Sequence, residues 1–434
     1  MAFLTLEDPN AKIKGSRDPL GMVPIWSSFA RHIVTNLTTP STSVRGFTTL
    51  ILARYFTTLL IERGTIQKEE ALDLFLRMEQ LCAYARYVGH ETEEGIRGIE
   101  KIKGRYEEGK GSVPIQANRK GMILSDQKVY GLWGLYSSPA RVSGLITQGP
   151  VGIEDRTRIF IEKFYFPRLK EHLNPLMKII SKGGNINTKR GNDFFRALIG
   201  IMPEQYAPAE EDFYGKYLRD AIAVKTNSNG KREGLNSSQQ NFRILLERYS
   251  DLKSPLNREE VVKIEHKSRK VDKRIADSLS RIGQLEALLA PADALFAFLL
   301  TQEEFSPKEA GGKLCNLWGK SVPHVKPSLF RELSQEIIKA SSKKIATIMS
   351  NCCDALSIGD YTAVVEALIE WNTKVMEGRN AAPWVKLNKK GKIDVRYRGL
   401  NQEIPKGDDV PLLWRNSYFV NSLKSITFQL RNIK

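Results

Sequence analysis

The sequence predicts a mainly α-helical, multi-domain protein with a small β-hairpin near the C-terminus. Three observations lead there. Apolar residues recur at three- and four-residue intervals through most of the chain. Ser, Thr, Pro and Gly stand where such runs would begin and end. Only one late stretch alternates with the two-residue rhythm of a strand. The length, 434 residues, holds two or three domains, and a composition 41% hydrophobic and 26% charged is that of folded rather than disordered chains.

Residues 41–63 open with Ser and Thr capping candidates, carry Leu50, Ile51, Leu52, Phe56, Leu59 and Leu60, and stop at Gly64, so a helix is expected there. Residues 67–88 repeat the format with Leu72, Phe75, Leu76, Met78 and Leu81 before Gly89, which suggests an antiparallel helical pair. From Glu91 to about Gly111 the pattern weakens into a charged, glycine-rich helix and loop. Residues 155–182 read as a helix kinked or broken by Pro167 and Pro175. Another starts near Pro208, where Glu210, Glu211 and Asp212 suit the positive end of a helix dipole.

The run KTNSNGKREGLNSSQQN, 225–241, has almost no apolar residue and reads as a linker. It would separate an N-terminal helical domain, 1–224, from a C-terminal one, 242–434. Beyond it, 257–289 predicts one long helix, with further helices near 292–304, 328–357 and 361–377. Ile393, Val395 and Tyr397 alternate with Lys392, Asp394 and Arg396, and with WVKL across the turn NKKG they predict a basic hairpin.

The charge pattern bears on function. The chain has 66 Lys and Arg against 49 Asp and Glu, a formal charge of +17. The excess is uneven: +10 falls in residues 101–200 and +7 in 301–434. A concentrated positive field suits a polyanionic partner, and nucleic acid is the expected one, DNA ahead of RNA. The first candidate contacts are Arg119, Lys120, Lys128, Arg141 and Ser143, together with Lys189 and Arg190 in the loop SKGGNINTKRGND. The second set lies on the hairpin, where Lys386, Lys389, Lys390, Lys392, Arg396 and Arg398 accompany the rings of Trp384 and Tyr397, the mixture used for backbone and base-stacking contacts.

Other chemistry has less support. No GxxxxGK[ST] loop occurs, so no nucleotide cofactor is expected and an ATP-driven step would belong to a partner. The one nuclease-like spacing is Asp251 with Glu265 and Lys267, but that segment has helical periodicity. Cys82, Cys315, Cys352 and Cys353 form no CxxC pair, so neither a zinc site nor a disulfide framework is expected, which agrees with a reducing, cytoplasmic setting. The N-terminal residues lack a basic segment followed by an apolar run. The most apolar windows are broken by Arg54 and by Glu286, Pro291 and Asp293, so no membrane partner is expected and they read as buried helices.

The run LSDQKVYGLWGLYSSPARVSGLITQ, 124–148, resembles the late part of a winged-helix domain, in which a recognition helix closes on a short Gly-Leu-Ile-type strand. The resemblance covers about 25 residues. It implies that Lys128, Arg141 and Ser143 face nucleic acid while Arg119 and Lys120 contact phosphates. The chain as a whole, with its C-terminal WRNSYFVNSLKSI, resembles basic helical subunits of bacterial anti-phage defence operons. That likeness implies a non-catalytic nucleic-acid-binding component working beside a separate ATPase or nuclease. The alternatives are a metal-dependent nuclease using the triad above, or a protein-interaction scaffold.

Overall fold

The computed structural model describes residues 18–149, 151–189, 193–222, 224–226, 232–234, 238–319, 322, 324–397 and 404–431. Of the chain, 64% is helical and 4% strand, so the fold is mainly α. The strands pair as three antiparallel two-stranded ribbons, the last being the C-terminal hairpin, with Val385–Leu387 against Ile393–Val395. The chain divides into two compact units, each discontinuous in sequence: Met1–Ile33 with Pro255–Tyr418, and Val34–Ser254 with Phe419–Lys434. The run 225–241 therefore lies within one unit, and the chain passes to the other after Ser254.

In the unit built on Val34–Ser254, the central helix is Val44–Glu62. Ser43 caps it by accepting from the Gly46 N–H at 3.1 Å, and nearly all its faces are buried. It is one of two helices apolar and long enough to cross a membrane; 89% of its apolar window is buried inside the protein. The helices Ala71–His90 and Leu132–Val142 pack against it. Gly89 does not end its helix. Its Cα faces Ile199 so closely that a Cβ would stand 2.3 Å from Ile199 Cγ2, so this glycine permits packing, and Glu91 at φ 49° closes the helix.

The expected helix 155–182 is broken as its prolines require, into Asp155–Phe164, Phe166–Leu169 and Leu173–Lys182. The C-terminal helix Val420–Gln429 is tied to this unit by three bonds to the connection before the central helix. Ser422 donates to the Thr38 carbonyl at 2.8 Å, Ser425 to Thr42 at 2.8 Å and the Gln429 amide to Thr42 at 2.6 Å.

In the other unit the core helix is Lys273–Leu299, the second apolar one, with 78% of its window buried. The single long helix expected over 257–289 is two, Arg258–Ser268 and Lys273–Leu299, because Asp272 caps the second by accepting from the Arg274 N–H. That helix runs through Pro291 instead of stopping there. The region 328–357 likewise divides into Pro327–Arg331, Ser334–Ala340 and Lys343–Ile358, whereas Tyr361–Gly378 matches its expectation. The helix Pro307–Trp318 was not foreseen, although Ser306 and Glu309 form a full capping box at its start.

Candidate nucleic-acid interface

The basic block of residues 101–200 is organised by a ribbon. Ser112–Ile115 pairs antiparallel with Gly184–Asn187, Ser112 opposite Asn187 and Ile115 opposite Gly184. The two-residue alternation of strands sorts its side chains: Val113, Ile115 and Ile186 are buried, while Ser112, Asn185 and Asn187 form an exposed polar face. The loop 181–193, expected to be flexible, thus supplies a strand.

Three side chains fix the ribbon and the turn beside it. The Gln80 amide acts like a neighbouring strand, donating to the Gln116 carbonyl at 2.9 Å and accepting from the Gln116 N–H at 3.0 Å. Arg77 donates to the Ile180 and Ser181 carbonyls at 3.0 and 2.7 Å, which satisfies the end of the helix Leu173–Lys182. Arg105 donates to the carbonyls of Gly121 and Arg119 at 2.7 and 3.1 Å, holding the turn on which Arg119 and Lys120 project.

A shallow cleft of about 440 Å³ lies between Arg77, Gln116, Asn118, Lys182 and Gly184. Arg119 and Lys120 follow Asn118 directly. Lys110 and Lys189 stand at the opposite end of the ribbon, the latter with its ammonium 5.5 Å from the centre of the Tyr106 ring. Lys110, Arg119, Lys120, Lys182 and Lys189 are all exposed, and among the described residues no carboxylate is bonded to any of them. Asp73 also lines the cleft, 3.6 Å from Arg77. Sequence reasoning found Arg119, Lys120 and Lys189 but missed Lys110, Lys182 and the ribbon that groups them.

The winged-helix expectation fares differently. Its helix exists as Gln127–Tyr130 and Leu132–Val142, yet Gly144, Leu145 and Ile146 form a turn and bend where a strand was expected. Ser143 is 7% exposed and accepts from the Asn36 amide at 2.9 Å, so it faces the interior. Arg141 is half-buried with its Nε enclosed and without a partner; it stands near Arg54, whose guanidinium is pushed down to about 10 by burial and by the neighbouring charge. Lys128 remains exposed.

The hairpin belongs to the other unit and keeps only part of its expected set. Trp384 is 8% exposed, its N–H held by Asn372 Oδ1 at 2.8 Å and its ring against Tyr397 with centroids 4.1 Å apart, so it cannot stack on a base. Lys386 is paired with Asp394 at 3.5 Å and Lys392 with Glu309 at 2.8 Å. Hydrogen bonds from Lys392 and Ser306 pull the Glu309 carboxyl down to about 2. Lys389, Lys390, Arg396 and Tyr397 stay exposed. Arg190 and Arg398 lie outside the described residues.

The nuclease triad is not assembled as that chemistry needs. Glu265 and Lys267 lie on the helix Arg258–Ser268, two positions apart and so on different faces, and the Glu265 carboxylate is taken by Arg269 at 2.7 Å. Asp251 belongs to the other unit, where it closes a turn with Ser254 and the Lys253 N–H. Among the described residues no three His, Cys, Asp or Glu side chains gather as a metal ligand set. Comparison with family models, curated proteins and solved structures returns no match for this chain.

Proposed function

We propose that the protein binds nucleic acid through the ribbon Ser112–Ile115/Gly184–Asn187 and the cations at its two ends, as a component without catalytic chemistry of its own at this site. The observation that carries this reading is the set of five exposed Lys and Arg side chains, free of carboxylate partners, around a polar face. Unneutralised charge of one sign, held on a backbone fixed by Gln80, Arg77 and Arg105, suits a sugar-phosphate chain. Four strand residues extend about 13 Å, the axial length of about four nucleotides in one strand of a duplex.

Duplex DNA is favoured over RNA because the B-form major groove admits a two-stranded ribbon, whereas that of A-form RNA is too deep and narrow. The exposed lysines and arginine of the hairpin would add phosphate contacts, and chemistry on the bound strand would fall to an ATPase or nuclease partner. Fluorescence anisotropy with labelled duplex DNA and duplex RNA at low salt tests the reading. Saturable binding with DNA the tighter is expected; no binding to either removes the proposal.

A further inference from the structure

In the unit built on Pro255–Tyr418, a cavity of about 240 Å³ contains polar groups that the protein itself leaves unsatisfied. Both ring nitrogens of His324 and the Oε1 of Gln284 are enclosed without any hydrogen-bond partner. Buried polar atoms are nearly always paired, and leaving one unpaired costs about 1–3 kcal/mol. Three such atoms on one small cavity point to a missing occupant.

The surrounding charge indicates its sign. Arg258, half-buried at the start of the helix Arg258–Ser268, and the exposed Lys326 both line the cavity. The one lining carboxylate, Glu265, is already held by Arg269 at 2.7 Å. Glu286, which acts on Arg258 electrostatically, is buried and satisfied by the N–H groups of Arg415 and Asn416, the Asn416 amide and the Tyr418 hydroxyl. His324 is kept neutral by burial and by Arg258, so one ring nitrogen donates and the other accepts. The Trp414 ring supplies an apolar wall.

We infer that this cavity binds a small phosphorylated, hydroxyl-bearing molecule. The phosphate would accept hydrogen bonds from Arg258 and Lys326. The hydroxyls would donate to Gln284 Oε1 and to the acceptor nitrogen of His324, and accept from its N–H. A bare anion could not satisfy Gln284 Oε1, and an uncharged sugar would leave Arg258 without a counter-charge. The volume lies below the roughly 300–1,000 Å³ of sites for drug-sized ligands, as a small metabolite requires.

Isothermal titration of the full chain with ribose 5-phosphate, inorganic phosphate and ribose tests the assignment. Ribose 5-phosphate is expected to bind saturably and about tenfold or more tighter than phosphate, with ribose not binding, because a hydrogen bond to a charged group contributes about 1.5–3 kcal/mol. Arg258→Gln should weaken ribose 5-phosphate about tenfold or more. Lys326→Ala, at an exposed position with no risk to folding, should weaken it to a lesser extent. Gln284→Leu should narrow the gap between the sugar phosphate and phosphate. Replacing Arg119, Lys120, Lys182 and Lys189 with Ala should leave the titration unchanged, which separates this site from the ribbon. The assignment is overturned if neither phosphate compound binds, if Arg258→Gln and Lys326→Ala both bind like the parent, or if binding is lost in the ribbon variant.

Discussion

Glu210→Ala tests how the unit carrying the ribbon is held together. Arg45 has no exposed side-chain surface, and its guanidinium is clasped by the Glu210 carboxylate, by the Pro203 carbonyl at 2.6 Å and by the Gln205 carbonyl at 3.2 Å, with the Tyr206 ring 4.2 Å away. Glu210 also accepts from the Tyr165 hydroxyl at 2.5 Å and the Ala207 N–H at 3.0 Å. Removing the carboxylate leaves a buried cation with only neutral partners, which costs about 3–5 kcal/mol. In a unit of this size each kcal/mol shifts Tm by about 2–4 °C, so a fall of about 8–16 °C is expected. Differential scanning calorimetry reads it directly. The double variant Arg45→Met/Glu210→Leu, which removes both charges, should recover most of the loss. A Tm for Glu210→Ala within about 2 °C of the parent would refute the reasoning, since about 1 kcal/mol or less is what solvent-exposed pairs contribute.

Two further substitutions probe buried charge in the same unit. Glu79 is fully enclosed, accepting from the Gln127 amide at 2.8 Å and the Leu132 N–H at 2.7 Å, and burial outweighs both bonds to push its carboxyl up to about 7. Between the ordinary value of 4.5 and about 7 the folded protein holds a proton that the unfolded chain has lost, so this group lowers stability by about 1.4 kcal/mol for each pH unit gained. Urea titrations across that window should show the decline flattened by that amount in Glu79→Gln; an unchanged slope contradicts the assignment. Arg54 lies over the Trp133 ring at 4.2 Å with its Nε and Nη1 unpartnered, so Arg54→Met should keep or raise the thermal midpoint, and a large drop would mean that the guanidinium is better compensated than its contacts indicate.

Local patterning carried most of the helical fold. The Ser43 cap, the prolines at 167 and 175 and the run 361–377 all act as their side chains dictate. Failures came where a tertiary partner decided the outcome. Gly89 reads as a stop signal until Ile199 is seen packed on it. Asp272 is one acid among many charges until it caps a helix. Glu210 fits a helix dipole equally well whether solvated or, as found, holding Arg45.

The interface was legible only in part, for the same reason. Arg119, Lys120 and Lys189 stand out as local charge, but the pairing of Ser112–Ile115 with a strand some seventy residues later has no local signature. Burial reassigned Ser143 and Trp384, whose composition alone had placed them outside. Ion pairs withdrew Lys386 and Lys392, since Asp394 and Glu309 become their neighbours only once the chain folds.

The salt dependence of duplex DNA binding, compared between the parent and the variant with Arg119, Lys120, Lys182 and Lys189 replaced by Ala, tests the central claim most directly. Four phosphate contacts correspond to about 3.6 of the slope of log K against log salt, or about two decades of affinity between 50 and 200 mM salt. The account predicts that the variant loses a slope of about that size; an equal slope in both proteins would place the bound phosphates elsewhere and contradict it.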